Sequence, residues 1–172
     1  MKAAIVLGKE YPIIEQKSNQ NKVEFKEDQL LIYFKDRSAS SLLKNFLSDL
    51  LFNKISEISE AIKKEGKIDL LGNLDFEITE KIDNKKTRIA KLKGNRIILK
   101  QDIVALPENV LRYILAHEIA HVANKSHTKK FWKTVGLICP NYKEPQEQLT
   151  NLNNHLVKTI EIGNVPITKL LQ

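Results

Sequence analysis

The sequence contains only one cysteine, Cys139, among its 172 residues. A single thiol forms no internal disulfide, and this scarcity is typical of proteins from a reducing compartment. No second cysteine and no neighbouring histidine marks Cys139 as reactive, so we interpret it as a small buried apolar residue before a proline. The chain must therefore gain its stability by burying apolar side chains, which at this length removes roughly 70% of the unfolded surface from water.

Long hydrophobic runs are also absent. The apolar-rich stretch 42–51 is interrupted by four polar residues, among them Lys44 and Asp49, whereas a membrane helix needs about 20 apolar residues. The short apolar run 3–7 is followed by Gly8, Lys9 and Glu10, which does not match a signal peptide. We predict a cytoplasmic protein without membrane contact.

The composition is that of an ordinary folded chain, with 42% hydrophobic and 28% charged residues, which excludes a disordered or collagen-like protein. No internal repeat, low-complexity tract or linker divides the sequence. We predict a single domain over residues 1–172, with N-terminal strands and a long helix at about 1–66. A sheet and a catalytic helix follow at about 67–161, and residues 162–172 form a tail.

Positive charge is concentrated in one segment. The chain has a formal net charge of +7, and residues 81–100 alone carry eight basic side chains against one acid, Asp83, so that the remainder is balanced. Such a cluster is typical of a surface that binds nucleic acid or nucleotide phosphates. The alternative is that lysines on short exposed strands keep sheet edges from aggregating. The basic residues are Lys81, Lys85, Lys86, Arg88, Lys91, Lys93, Arg96 and Lys100.

The first third of the chain has patterns of both strand and helix. Residues 11–15 predict a strand, and 23–25 with 30–34 predict a hairpin. From about Ser40 to Lys64 apolar residues recur every three or four positions, which predicts an amphipathic helix that Gly66 ends. The fold class is therefore α+β.

Three further runs have the pattern of strands. Residues 74–78 alternate apolar and polar side chains, and turn signals at 83–85 and 94–95 separate this run from those at 88–92 and 96–99. They predict a small antiparallel sheet, connected as a meander and packed with helices.

Helices are predicted for the remainder of the chain. One begins at Pro107 and runs to about Asn124. A short helix capped by Thr128 ends before Pro140, and a last helix runs from residue 144 or 145 to about 159.

Three of the four histidines lie within residues 115–127. His117 and His121 are four residues apart, so a helix presents both imidazoles on one face. His127 lies just beyond the predicted helix end, where it can supply a third ligand. Three protein ligands and an open position for water are what a catalytic zinc ion requires. We predict one zinc ion per chain.

Glu118 follows His117 directly, near the metal but rotated away from it. That placement suits a general base that takes a proton from a water activated by zinc. The alternative is a set of surface or core histidines, or a structural zinc site, which four protein ligands usually close. The fourth histidine, His155, is predicted to be a surface residue of the last helix.

The motif and its surroundings resemble the YgjP-like zinc metallopeptidases, which are close to the SprT-like and WLM groups. The resemblance extends from Leu7 through Glu144 and implies a minimal gluzincin-like fold, in which the edge of a small antiparallel sheet lies over the motif helix. It also implies three histidine ligands and Glu118 as the catalytic acid and base. The residues that carry it are His117-Glu118-Ile119-Ala120-His121, then His127 after five residues, Phe131-Trp132, Pro140 and Tyr142.

One segment departs from the family pattern. Members commonly have an Arg-Trp-Gly-Ser-Cys stretch before the strand that leads to the motif helix, and here residues 88–92 retain only the arginine, Arg88. The substrate contacts that this stretch makes in other family members are therefore not expected in this chain. Arg88 is expected either to stabilise an oxyanion or to form a surface salt bridge. Phe131 and Trp132 are expected to pack on the motif helix and support His127.

We predict a zinc-dependent hydrolase, and first a metallopeptidase whose peptide or protein substrate lies extended along the sheet edge. One alternative is a nucleotide pyrophosphatase of the UTP type, suggested for some YgjP-like proteins, although no glycine-rich phosphate loop is present. Others are a DNA-associated protease, as in SprT-like relatives, and a zinc-binding interaction domain without enzymatic activity.

Overall fold

The computed structural model describes residues 2–69, 72, 74–85 and 88–160, with side chains as far as residue 152. The predicted tail and the side chain of His155 lie outside this part. The elements are β1 (Ala3–Val6), β2 (Lys9–Lys17), β3 (Lys22–Lys26), β4 (Gln29–Phe34), α1 (Ala39–Glu65), β5 (Asp75–Thr79), β6 (Ala90–Lys93), β7 (Arg96–Lys100), a 3₁₀ helix (Gln101–Ala105), α2 (Glu108–Ala123), α3 (Lys129–Ile138) and α4 (Lys143–Ile160). The predicted α+β class is confirmed.

The N-terminal sheet has the strand order β1-β2-β4-β3. The predicted hairpin is confirmed, since β3 and β4 pair antiparallel with Lys26 opposite Gln29. The predicted strand around residues 11–15 is confirmed as part of β2, which pairs antiparallel with β1 and parallel with β4. β1 itself is a strand that the sequence pattern did not predict.

The second sheet has the order β5-β7-β6, so the predicted antiparallel meander is wrong. β6 and β7 form the expected hairpin, but β5 pairs with β7 in parallel, and the sheet is therefore mixed. The connection 80–89 is longer than a hairpin turn. It contains Ile82, which is buried, and positive φ angles at Asp83 and Asn84. Because this connection leads to β6 at the far side of the sheet, β7 occupies the position next to β5.

The long helix α1 agrees with its predicted bounds. The Ser38 hydroxyl accepts a hydrogen bond from the Ser41 backbone N–H at the start, and Gly66 ends the helix with a left-handed φ of 64°. Its buried face contacts strands of both sheets as well as α2. Five apolar residues of this face belong to a hydrophobic cluster that extends from β1 to the end of α3, namely Leu47, Leu51, Ile55, Ile58 and Ile62.

The start of α2 is fixed by the N-terminal strands. Leu7 N–H donates to Val104 O at 2.8 Å and Gly8 N–H to Ala105 O at 3.0 Å, which docks the β1–β2 turn on the 3₁₀ helix. A Cβ placed on Gly8, whose φ is +82°, would lie 3.1 Å from Pro107 Cγ. The sequence predicts that α2 begins at Pro107. In the structure Pro107 is the N-cap residue, and the helix begins one residue later, at Glu108.

The last two helices follow their predicted boundaries closely. Thr128 caps α3 by accepting from Phe131 N–H, and α3 ends at Ile138, before Pro140. The helix predicted to begin at residue 144 or 145 begins at Lys143. None of the helices in the described part is both long and apolar enough to cross a membrane.

Candidate metal centre and active-site groove

Helix α2 presents His117 and His121 on one face, with their ring centroids 4.8 Å apart. His127 comes from the loop after the helix, and its Nε2 lies 3.1 Å from Nε2 of His117. The structure therefore brings together all three histidines that the spacing predicts as ligands.

The loop 124–128 returns His127 to the helix that it has just left. α2 ends at Ala123, and its C-cap residue Asn124 has an extended backbone, with φ −136° and ψ 104°. Thr128 N–H donates to Ser126 O at 2.8 Å, and the Thr128 side chain then caps α3. Because one side of the loop is anchored by α2 and the other by α3, His127 is placed between two fixed ends.

The three imidazoles fit a single metal ion. Each offers one nitrogen, and these nitrogens all lie within 4.8 Å of one another. Two ligands of a tetrahedral zinc ion, each bound at about 2.0 to 2.1 Å, are about 3.3 Å apart, and the 3.1 Å between His117 and His127 is close to that value. Among the described residues, no fourth histidine, cysteine or carboxylate belongs to the group. The set therefore matches a site with three protein ligands and an open position.

A backbone carbonyl fixes the orientation of His121. Its Nδ1 lies 3.1 Å from Asn124 O, and because a carbonyl oxygen only accepts, Nδ1 must carry the proton. Nε2 is then the atom with a free lone pair for a metal. Sequence reasoning did not identify Asn124 as a partner.

Aromatic rings surround the histidines, and the predicted packing of Phe131 and Trp132 is confirmed. Phe131 is fully buried, and its ring centroid lies 5.1, 4.7 and 4.7 Å from those of His117, His121 and His127. Trp132 stacks on His127 at 5.9 Å and on Tyr142 at 5.3 Å. The stacking of Tyr142 was not predicted.

The protonation of His127 is disfavoured by its surroundings. Partial desolvation lowers its pKa first, and the neighbouring imidazoles of His117 and His121 lower it further. The neutral ring is the form that binds a metal. The environment of His127 therefore favours its ligating form.

Glu118 is a carboxylate with little solvent contact, since the residue is only 8% exposed. Its Oε1 lies 3.4 Å from His117 Nδ1, which is longer than the roughly 2.7 to 2.9 Å of a strong charge-assisted hydrogen bond. Glu118 is thus not locked against the histidine. Its remaining exposed surface opens into a groove that His121 also lines.

The groove, which we call the active-site groove, has a volume of about 580 Å³ and runs between β6 and α2. β6 lies at the edge of its sheet and pairs only with β7, so one row of its backbone groups has no strand partner among the described strands. Arg88 lies in the groove wall and forms an ion pair with Asp83 at 2.6 Å, which confirms the salt bridge expected as one of its two roles. The groove is lined by Arg88, Ala90, Lys91, Leu92, Gly94, Glu118, His121, Val122 and Lys125.

A small α+β fold with a His-Glu-x-x-His helix, a third histidine and an edge strand beside a groove is the arrangement expected of a metal-dependent peptidase. Residues 1–152 match the model of the family described as YgjP-like, metallopeptidase domain, and the chain belongs to this family. No curated protein matches the chain.

Proposed function

We propose that this protein is a zinc-dependent peptidase in which His117, His121 and His127 hold one zinc ion and Glu118 is the general base. The observation that carries the proposal is the convergence of three histidine nitrogens within 4.8 Å of one another, beside a nearly buried glutamate. Membership of a metallopeptidase family supports the same reaction.

The catalytic step assigned to this chain is a proton transfer by Glu118. When bound, zinc lowers the pKa of a water molecule toward about 7 and polarises a carbonyl group. The Glu118 carboxylate accepts the proton of the attacking water and donates it to the leaving amine. Its position at the groove wall gives it access to both. Asn124 O and the ring of Phe131 meanwhile hold the imidazoles in place.

The edge strand β6 is proposed to bind the substrate main chain. Its free backbone groups can pair with an extended peptide, which would lie in the active-site groove as an added strand. Glu118 and His121 form the opposite wall, so the peptide would pass in front of both. Main-chain pairing gives affinity without fixing the sequence that is cut.

The alternatives from the sequence have weaker support. Of the basic residues that the structure describes in segment 81–100, four form ion pairs with acids: Arg88 and Lys91 with Asp83, Arg96 with Glu77, and Lys100 with Asp102. This partial neutralisation reduces the attraction for a polyanion such as DNA or a nucleotide. Arg88 and Lys91 share one carboxylate, so these three groups together keep one net positive charge. A closed structural zinc site would need a fourth protein ligand, and the described residues do not place one in the histidine group.

The proposal is tested first by metal content and cleavage, measured together. Purified wild-type protein is expected to contain one zinc ion per chain and to cleave a mixed peptide pool. Glu118→Gln is expected to keep the zinc but to lose at least about 100-fold in turnover, the usual contribution of a general base.

His121→Ala is expected to lose the metal, while His155→Ala, the fourth histidine, serves as the matched control and should retain it. Wild-type protein is also incubated with zinc, and the excess zinc is then removed. If no stoichiometric metal remained bound, the proposed function would be wrong. Wild-type turnover by Glu118→Gln would reject the assigned base alone.

A further inference from the structure

Three cations line the active-site groove, namely Arg88, Lys91 and Lys125, and the only acid among its lining residues is Glu118. Lys125 is exposed and forms no ion pair within the described part of the chain. With Glu118 assigned to proton transfer, the groove walls keep a net positive charge, since Arg88 and Lys91 share the single carboxylate of Asp83 and Lys125 adds a third cation.

The side chain of Lys91 stands on the outer face of β6. Across the hairpin, Ala90 and Leu92 lie opposite Leu99 and Ile97, which are fully buried. Successive residues of a strand point to opposite faces, so Lys91 points away from the core while its neighbours point toward it. A peptide added beside β6 would alternate in the same way, and every second side chain would lie on the Lys91 face.

Asp83 shows that Arg88 and Lys91 can bind one carboxylate together. Its Oδ2 lies 2.6 Å from Arg88 Nη1 and 2.7 Å from Lys91 Nζ. A guanidinium group has five N–H donors and an ammonium group has three, and each uses one of them here. The side chains of Arg88 and Lys91 are 36% and 33% exposed. Both cations can therefore contact a second carboxylate from the groove.

We propose that the active-site groove selects peptides with Asp or Glu at the positions that lie on the Lys91 face of β6. The inference rests on the peptidase function proposed above and names its substrate class. Directly opposed side chains on paired strands are about 4.5 to 5.5 Å apart at Cβ, where opposite charges attract and like charges repel. Lys125, from the far wall, adds attraction for an acidic substrate.

The first test compares matched peptides that differ at one position. A peptide cleaved from the mixed pool is resynthesised with Glu, Gln or Lys at each site in turn. At alternating sites, Glu is expected to give a kcat/KM about 1.5- to fivefold above Gln, the range set by partly exposed ion pairs, and Lys is expected to give a value below Gln. Cleavage without any dependence on these sites would overturn the selectivity but leave the peptidase intact.

The second test assigns the selectivity to Lys91. Lys91→Glu is expected to reverse the order of the Glu and Lys peptides. Lys26→Glu is the matched control, because it changes the same charge on β3, an edge strand of the other sheet, and should leave the order unchanged. Equal effects of the two substitutions would mean that only net charge matters, and the proposal would be wrong.

The third test uses binding, so that it does not depend on turnover. Calorimetric titration of the Glu118→Gln protein should show tighter binding of the Glu peptide than of the Gln peptide. Asp83→Asn should increase that difference, because it removes the carboxylate that competes for Arg88 and Lys91. A single-stranded oligonucleotide of equal charge that displaced the peptide completely would point to a general polyanion site and would reject the acidic-peptide assignment. Equal binding of the two peptides would also reject it.

Discussion

At the scale of single residues, the candidate metal site includes a supporting side chain with no polar atom, Phe131. Its buried ring contacts all three predicted ligands. The rings of His117 and His121 are fixed partly by α2, whereas His127 comes from a loop. Phe131 therefore contacts His127 and the two helix histidines at once, and so joins the loop residue to α2.

Phe131→Leu is expected to weaken zinc binding about tenfold or more, the usual effect of changing a residue that supports metal ligands. It should also lower the free energy of unfolding of the metal-free protein by about 1 to 2 kcal/mol, because it shrinks a buried side chain. Zinc affinity is measured by competition with a chelator of known affinity.

Ile138→Val is the matched control for this substitution, since Ile138 is buried on the same helix but is not part of the histidine cluster. It should cost about 1 kcal/mol in stability and leave the zinc affinity unchanged. If both variants lost zinc equally, the effect would come from general destabilisation and not from ligand support.

The candidate ligands could be predicted from the sequence because their geometry is local. His117 and His121 share a helix face by their spacing alone, and His127 is only six residues further along. Asn124 could not be predicted, since it contributes a backbone carbonyl, which every residue has. Tyr142 depends on how the chain turns between α3 and α4, and no local pattern specifies its stacking on Trp132.

At the scale of elements, the β1–β2 turn contacts the start of α2, the helix that carries His117 and His121, from far away in the sequence. Leu7 and Gly8 both have positive φ, as a two-residue hairpin turn of the primed type requires. The turn donates two hydrogen bonds to the 3₁₀ helix and rests against Pro107. The N-terminal sheet thereby supports the start of α2, whose last turns carry the histidines.

Gly8→Ala is expected to destabilise the protein by more than Gly66→Ala. Both glycines have a left-handed φ, and an added Cβ costs about 1 kcal/mol in that conformation. At Gly66 the new Cβ meets nothing within 4 Å, whereas at Gly8 it would lie 3.1 Å from Pro107. Urea unfolding of both variants separates the two contributions, and equal losses would show that the Pro107 contact has no energetic effect.

Helices and local hairpins were predicted closely, whereas the pairing of β5 was not, for a physical reason. The apolar period of α1 and its stop at Gly66 are properties of neighbouring residues. The parallel pairing of β5 with β7 joins strands separated by the whole of β6 and a long loop, and alternation within β5 does not select a partner. The turn signal at Asp83-Asn84 is real, because both residues have positive φ, but it bends a crossover loop and not a hairpin.

At the scale of the whole molecule, Arg112 joins the ends of three helices around the core. From α2 it donates to both carboxylate oxygens of Glu65, at 2.8 and 2.7 Å, and so contacts the last residue of α1. It also donates to Ile138 O, the last residue of α3. Both contacts to Glu65 come from the same nitrogen, Nη2, so the pair is charge-assisted but lacks the fork geometry in which two guanidinium nitrogens each bind one oxygen.

Buried acidic groups predict that the molecule loses stability at alkaline pH. Burial raises the pKa of the Cys139 thiol above its ordinary 9.0 and that of the Tyr113 hydroxyl above 10.0. The folded state therefore keeps these protons longer than the unfolded state. Their stabilisation is fully present below about pH 9 and is lost as the pH rises through the two raised values.

The predicted loss of stability at alkaline pH is tested by the denaturant midpoints of wild type and Cys139→Ala at pH 8 and pH 10.5. The midpoint of the wild type should fall as the pH rises, and that of the variant should fall less. An identical fall would mean that the thiol makes no contribution.

The chain contains a single tryptophan, Trp132, and that residue stacks directly on His127. Its tryptophan emission therefore comes from one place, the edge of the candidate metal centre. Cobalt(II) bound by the three histidines would quench this emission, while a metal attached elsewhere on the surface would leave it bright. The protein thus carries an optical reporter of site occupancy that needs no label and no substrate.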